Sequence, residues 1–159
     1  MSVQYITANA LDFPENTNVL VHGVNCGGVM ASGIAKSIRE EYPAAYDAYM
    51  EAHKNNELQL GMFSVAEVVG GKRIINLCTQ EKYGTDKRYI DYEALYVGLS
   101  RIKEILEGAS KEGRKYSLVM PWVGCGLAGG SRKVVKAMIE DIFEESEIRV
   151  VVAELGVKK

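Results

Sequence analysis

Short apolar runs alternate with amphipathic stretches along most of the chain. Val3 to Ala8 predicts a strand, and Asn18 to Asn25 (NVLVHGVN) predicts a second, with Val19, Val21 and the small Gly23 sharing a face. The period then changes: Ile34, Ala35 and Ile38 fall at helical spacing between Gly33 and Tyr42. Pro43 ends that helix and suits the first turn of another, Ala44 to Asn55, where a missing N–H costs nothing. Met62 to Val69 and Arg73 to Cys78 read as strands joined by Gly70-Gly71, a dipeptide fit for a tight hairpin. Leu95, Leu99, Ile102, Ile105 and Leu106 recur at intervals of three and four and predict a long helix from Asp91 to Glu107, with Gly108 near its end. A strand at Tyr116 to Pro121, a helix from an N-capping Ser131 to Glu145, and a last strand at Ile148 to Glu154 follow.

Strands alternating with helices imply a largely parallel sheet covered on both faces. Ligands of such sheets sit beyond the carboxyl ends of the strands. Two glycine-rich loops fall there, each leading into a helix. The first runs Asn25-Cys26-Gly27-Gly28-Val29-Met30-Ala31-Ser32-Gly33-Ile34-Ala35, and the second Pro121-Trp122-Val123-Gly124-Cys125-Gly126-Leu127-Ala128-Gly129-Gly130. Small residues let backbone N–H groups approach a ligand, and a helix N-terminus adds the positive end of its dipole, so a phosphate or diphosphate suits both. Neither loop ends in Gly-Lys-Ser/Thr nor reads G-x-G-x-x-G, which excludes a P-loop and a dinucleotide fingerprint.

Composition narrows the partner. The chain has 159 residues, 47% hydrophobic and 25% charged, with a net charge of −2, and is read as one folded domain over 1–159. Its charges are mixed, which argues against a duplex nucleic-acid binder. No apolar run reaches membrane-spanning length and no signal peptide is evident, so a cytoplasmic protein without membrane contact is expected. Three cysteines, Cys26, Cys78 and Cys125, form no C-x-x-C unit and are expected as free thiols of a reducing compartment. A zinc triad of His22, Cys26 and Cys125 has nonstandard spacing and no fourth ligand, so neither a metal nor a cofactor is expected.

The stretch from His22 to Ala35, together with Val123-Gly-Cys-Gly-Leu127, resembles the paired loops of macro domains. The likeness is to the branch that includes the yeast ADP-ribose 1″-phosphate phosphatase, the terminal ADP-ribose protein glycohydrolase and phage and bacterial relatives. It implies a three-layer α/β/α sandwich around a six-stranded mixed, mostly parallel sheet, binding ADP-ribose. On that resemblance Asn25 and the loop residues Gly27 to Ala35 meet the distal ribose and part of the diphosphate, and Pro121 to Ala128 close over the phosphates. Asn9 stands where the family often has an adenine-binding Asp, and its carbonyl can accept the same hydrogen bond without charge assistance.

Catalysis is a separate matter. Glycohydrolases of the branch carry a Lys after the fourth strand and an Asp directly after G-C-G-L; here Ala128 takes the second position, and Gln80, Glu81 and Lys82 stand around the first. The candidate catalytic residues are therefore Asn25, orienting a water or the ribose, His22 as acid–base, and Asp91, which is equally suited to cap a helix. Arg88 fits a terminal phosphate. The expected reaction is hydrolysis of ADP-ribose 1″-phosphate to ADP-ribose and phosphate. The alternatives are a non-catalytic ADP-ribose-binding module and removal of ADP-ribose from modified macromolecules.

Overall fold

The structure is a computed structural model and describes residues 3–31, 33–82, 89–126 and 128–155. Its elements follow the predicted order: β1 (Val3–Thr7), a 3-10 turn (Ala10–Asp12), β2 (Val19–Asn25), α1 (Gly33–Glu41), α2 (Pro43–Lys54), β3 (Phe63–Val68), β4 (Lys72–Gln80), α3 (Tyr92–Lys111), β5 (Ser117–Met120), α4 (Arg132–Phe143) and β6 (Arg149–Glu154). Pro43 is the first residue of α2, where its fixed φ suits the helix. Asp91 caps α3, its carboxylate accepting from Ala94 N at 2.9 Å. Ser131 occupies the N-cap of α4 without using its hydroxyl; its own N–H donates to Tyr92 Oη at 2.8 Å instead.

The six strands form one sheet in the order β1-β6-β5-β2-β4-β3. All neighbours are parallel except β3 and β4, the predicted hairpin around Gly70 and Gly71, both at positive φ. Strand alternation divides the core. Val19, Val21, Leu77, Met120 and Val152 face Leu95, Leu99, Val135 and Ile139 of α3 and α4. Leu20, Ile74, Val119 and Val151 face Ile38 and Ala45 of α1 and α2. The result is the three-layer α/β/α sandwich with a mostly parallel sheet.

One close approach needs a glycine. A β-carbon on Gly98 would lie 2.3 Å from Leu77 Cδ1, so its absence lets α3 sit down on β4.

The cysteine expectation is corrected. Cys26 and Cys78 form a disulfide with Cα atoms 6.0 Å apart, and Cys125 alone remains a thiol. A sequence separation of 52 concealed the pair, whereas the pairing of β2 with β4 sets them side by side. No described helix is long and apolar enough to cross a membrane.

Candidate functional site

The turn after β2 is held by two polar side chains. Asn25 is 7% exposed, and its amide oxygen accepts from Gly27 N (3.0 Å), Val29 N (3.3 Å) and Tyr49 Oη (2.9 Å). Its Nδ2 donates to Val29 O at 2.8 Å. Tyr49, fully buried on α2, shares its proton with the Asn25 backbone oxygen at 2.6 Å and accepts from Gly28 N and Val29 N at 3.1 Å each. Burial pushes the Tyr49 phenol up to about 12, so it stays protonated at neutral pH. Asn25 thus shapes the loop that would carry the ligand, a positioning role that is stronger on geometry than orienting water. Tyr49 was not legible as a site residue. Its only sequence signal is a tyrosine on the apolar stripe of a helix, which reads as core.

The second turn is closed from outside. Gly130 N donates to Gly124 O at 2.7 Å, and Ala128 O accepts from Tyr89 N (2.8 Å) and Ile90 N (3.3 Å). Gly124 sits at φ +73°, and a β-carbon there would fall 2.0 Å from Ile90 Cδ1, so neither the conformation nor the space admits another residue. The chain entering α3 therefore clasps the second loop against the sheet.

Because β2 and β5 are neighbours, the two turns face each other across one cavity of about 950 Å³. Its wall includes Asn9, Asn25, Val29, Ala31, Gly33, Ile34 and Ala35, and all of Pro121, Trp122, Val123, Gly124, Cys125, Gly126 and Ala128. Ser32, Leu127 and the segment 83–88 with Arg88 lie outside the described residues. Gly27, Gly28 and Met30 are not part of the wall. Met30 is 1% exposed and packs with Val24, Tyr49, Leu58 and Cys78, while a β-carbon on Gly28 would strike His53. Their part is to shape the loop.

Two of the three catalytic candidates do not line the cavity. His22 points into the α1/α2 layer, fully buried, with Nε2 2.5 Å from Asn76 Oδ1. Asn76 Nδ2 donates to Ala45 O and Ser64 Oγ, so its Oδ1 is the acceptor and His22 Nε2 carries the hydrogen. Burial pulls the imidazole down to about 4, so it is neutral at physiological pH. Strand alternation explains the outcome, since Val21 and Gly23 take the other face. Asp91 is occupied as the α3 cap. The imagined zinc triad has likewise lost donors: Cys26 is bonded to Cys78, and among the described residues no His/Cys/Asp/Glu group could hold a metal. Burial pushes the Cys125 thiol up, away from a reactive thiolate.

At the β1/β6 end, Asn9 caps the 3-10 turn by accepting from Leu11 N at 3.0 Å, which leaves its carbonyl one further lone pair. Beside it stand two cavity residues that sequence reasoning missed, Arg132 and Glu154, against the expected Trp122. Arg132 grips Glu154 through both guanidinium arms (2.8 and 3.0 Å), and Trp122 Nε1 donates to the same carboxylate at 3.3 Å. The Arg132 hydrogen bond is the first cause holding Glu154 below the usual carboxylate range. Tyr5 stacks on Trp122 with ring centroids 5.6 Å apart, fixing the indole at the rim. At the other end Thr79 and Gln80 complete the wall.

Known proteins agree with this geometry. The family described as Macro domain matches residues 21–139. The DNA ADP-ribosyl glycohydrolase of Mycobacterium tuberculosis is 31% identical over 133 residues, covering 82% of this chain and 36% of the relative, so the chain spans about a third of that protein's length. The ADP-ribose 1″-phosphate phosphatase of Aspergillus oryzae is 40% identical over 48 residues, 30% of this chain and 23% of the relative. A solved structure from Bacteroides thetaiotaomicron, titled a protein of unknown function, has a TM-score of 0.86 at 25% identity and covers 98% of this chain and 99% of its own. With the match running from β2 into α4 on the same fold, the chain belongs to the macro domain family.

Proposed function

We propose that this macro domain binds ADP-ribose and hydrolyses a bond at its distal ribose. The carrying observation is the pair of small-residue turns on adjacent parallel strands, facing one cavity open beyond the strand ends. Adenine would sit at the Asn9 end, the diphosphate between the turns, and the distal ribose toward Asn25. The diphosphate needs no cationic side chain there, because backbone N–H groups and the α1 N-terminus supply the positive field. The names of the relatives favour a hydrolase, and the Aspergillus match favours ADP-ribose 1″-phosphate as substrate. ADP-ribosylated DNA or protein is the other substrate class, with the modified macromolecule as partner.

A second reading is recognition without turnover. It is favoured by the wall at the β2–β4 end, where Asn25, Thr79 and Gln80 are neutral and Ala128 replaces an acid. One experiment separates the readings: calorimetry with ADP-ribose beside parallel turnover of ADP-ribose 1″-phosphate and ADP-ribosylated DNA, measuring phosphate and free ADP-ribose. Binding with phosphate release supports the phosphatase, and binding with free ADP-ribose from DNA supports the glycohydrolase. Binding without either product establishes a reader, and no binding removes the proposal.

A further inference from the structure

The disulfide fastens the first loop to the neighbouring strand. Cys26 directly follows Asn25, and Cys78 stands two residues before Gln80. Asn25 and Gln80 pair across β2 and β4, and both line the cavity wall. The bond therefore ties together the two strand ends that make this end of the wall. Its two cysteines pack in a small apolar cluster that also supports the loop. That cluster holds Met30 of the loop itself and Tyr49, whose hydroxyl binds the backbone of Asn25, Gly28 and Val29.

The two ends of the bond are held unequally. Cys78 is fully buried on β4, between β2 and β3. It pairs with Val24, its N–H donates to Met62 O, and its carbonyl accepts from Gly61 N, both at 2.9 Å. Cys26 has left β2, is half-buried, and donates its N–H to Gln80 O at 2.9 Å. It also lines a surface cavity of about 520 Å³ with Leu58, Gln59, Leu60 and Glu81, which shares no residue with the ligand cavity. A reductant thus has an approach to Cys26 that does not cross the ligand site. Once the bond is broken, the two sulfurs must part from covalent to van der Waals distance, and the movement falls on the less constrained Cys26. It displaces the residue next to Asn25, whose side chain fixes the turn.

We propose that the Cys26–Cys78 bond is a redox switch for the ligand site, its reduction by a dithiol loosening the first loop and weakening ADP-ribose binding. A thiolate of the dithiol attacks Cys26 Sγ, and Cys78 leaves as a thiolate and takes up a proton. The second thiol then resolves the mixed disulfide, so the dithiol is oxidised and both cysteines end as thiols. The proposal rests on the ADP-ribose reading and adds regulation to it. Re-fixing one loosened backbone residue on binding costs about tenfold in affinity.

The test is calorimetry with ADP-ribose on the oxidised chain, after dithiothreitol, after reoxidation with glutathione disulfide, and on Cys26→Ser with and without dithiothreitol. Circular dichroism and hydrogen exchange accompany each state. Reduction should raise the Kd about tenfold at unchanged stoichiometry and unchanged circular dichroism, and reoxidation should restore it. Cys26→Ser should bind like the reduced wild type and ignore dithiothreitol. Amides of residues 26–31 should exchange faster on reduction, with those of 122–126 unaffected. Equal Kd in the two redox states overturns the proposal, and so does a redox response that persists in Cys26→Ser, which would belong to Cys125. A reduced chain that unfolds also overturns it, since the bond would then be a staple of the fold. Failure of both redox states to bind ADP-ribose overturns the parent reading, and this proposal with it.

Discussion

His22 shows how a polar residue inside a strand is governed by the face it takes. It is sealed beneath α2 against Asn76, and its ring is pulled from the ordinary value of 6.5 down to about 4 by burial. Above pH 6.5 both folded and unfolded chains carry a neutral imidazole, and its stabilising contact is intact. As pH falls toward 4 the unfolded chain takes up the proton first, so folding loses about 3 kcal/mol across that window. Urea denaturation between pH 7 and pH 4 should show this slope, and His22→Gln should remove most of it. An unchanged slope in the variant would assign the acid sensitivity to other groups. Asn25 was legible as a candidate because it opens a glycine loop, and it lines the cavity. Tyr49 and Thr79 were not, since one looks like helix core and the other is left unmatched at a β-bulge between the Val24↔Cys78 and Asn25↔Gln80 pairs, which leaves no periodic trace.

Among elements, the hydrophobic period placed every strand and helix in order, and Gly70-Gly71 announced the one antiparallel pair. The ends were less legible. The fourth strand was expected to stop at Cys78 but runs on to Gln80, and those two added residues hold the bulge and the last of the β2 pairing. Pairing of side chains between elements was hidden for the same reason: the partners of a strand are chosen by sheet order. Cys26 and Cys78 are the clearest case. A disulfide closing 52 residues restricts the unfolded chain and contributes about 4 kcal/mol in a chain-entropy estimate. Thiol titration of the unfolded, unreduced chain should therefore count one group, Cys125, and three after reduction. Treatment with dithiothreitol should lower the urea midpoint. Three titratable thiols before reduction would remove the bond.

On the scale of the molecule, α/β alternation was enough to infer a mostly parallel sheet with both faces covered, and the position of the loops was enough to infer a site at one edge. The adjacency of β2 and β5 was not readable, because three helices and two strands separate them in the chain. That adjacency ties recognition to cooperative folding. Any partly opened form that parts β2 from β5 divides the cavity and loses the ligand, so binding draws on the fully assembled sheet alone. ADP-ribose at a hundredfold excess over its Kd should then stabilise the chain by about 2.7 kcal/mol. Its imprint in hydrogen exchange should be a common slowing of the β2, β4 and β5 amides, well beyond the two loops. Slowing limited to the loops would mean that they open while the sheet stays closed. The ligand would then report on a local hinge, where the present sheet order makes it a clasp on the whole fold.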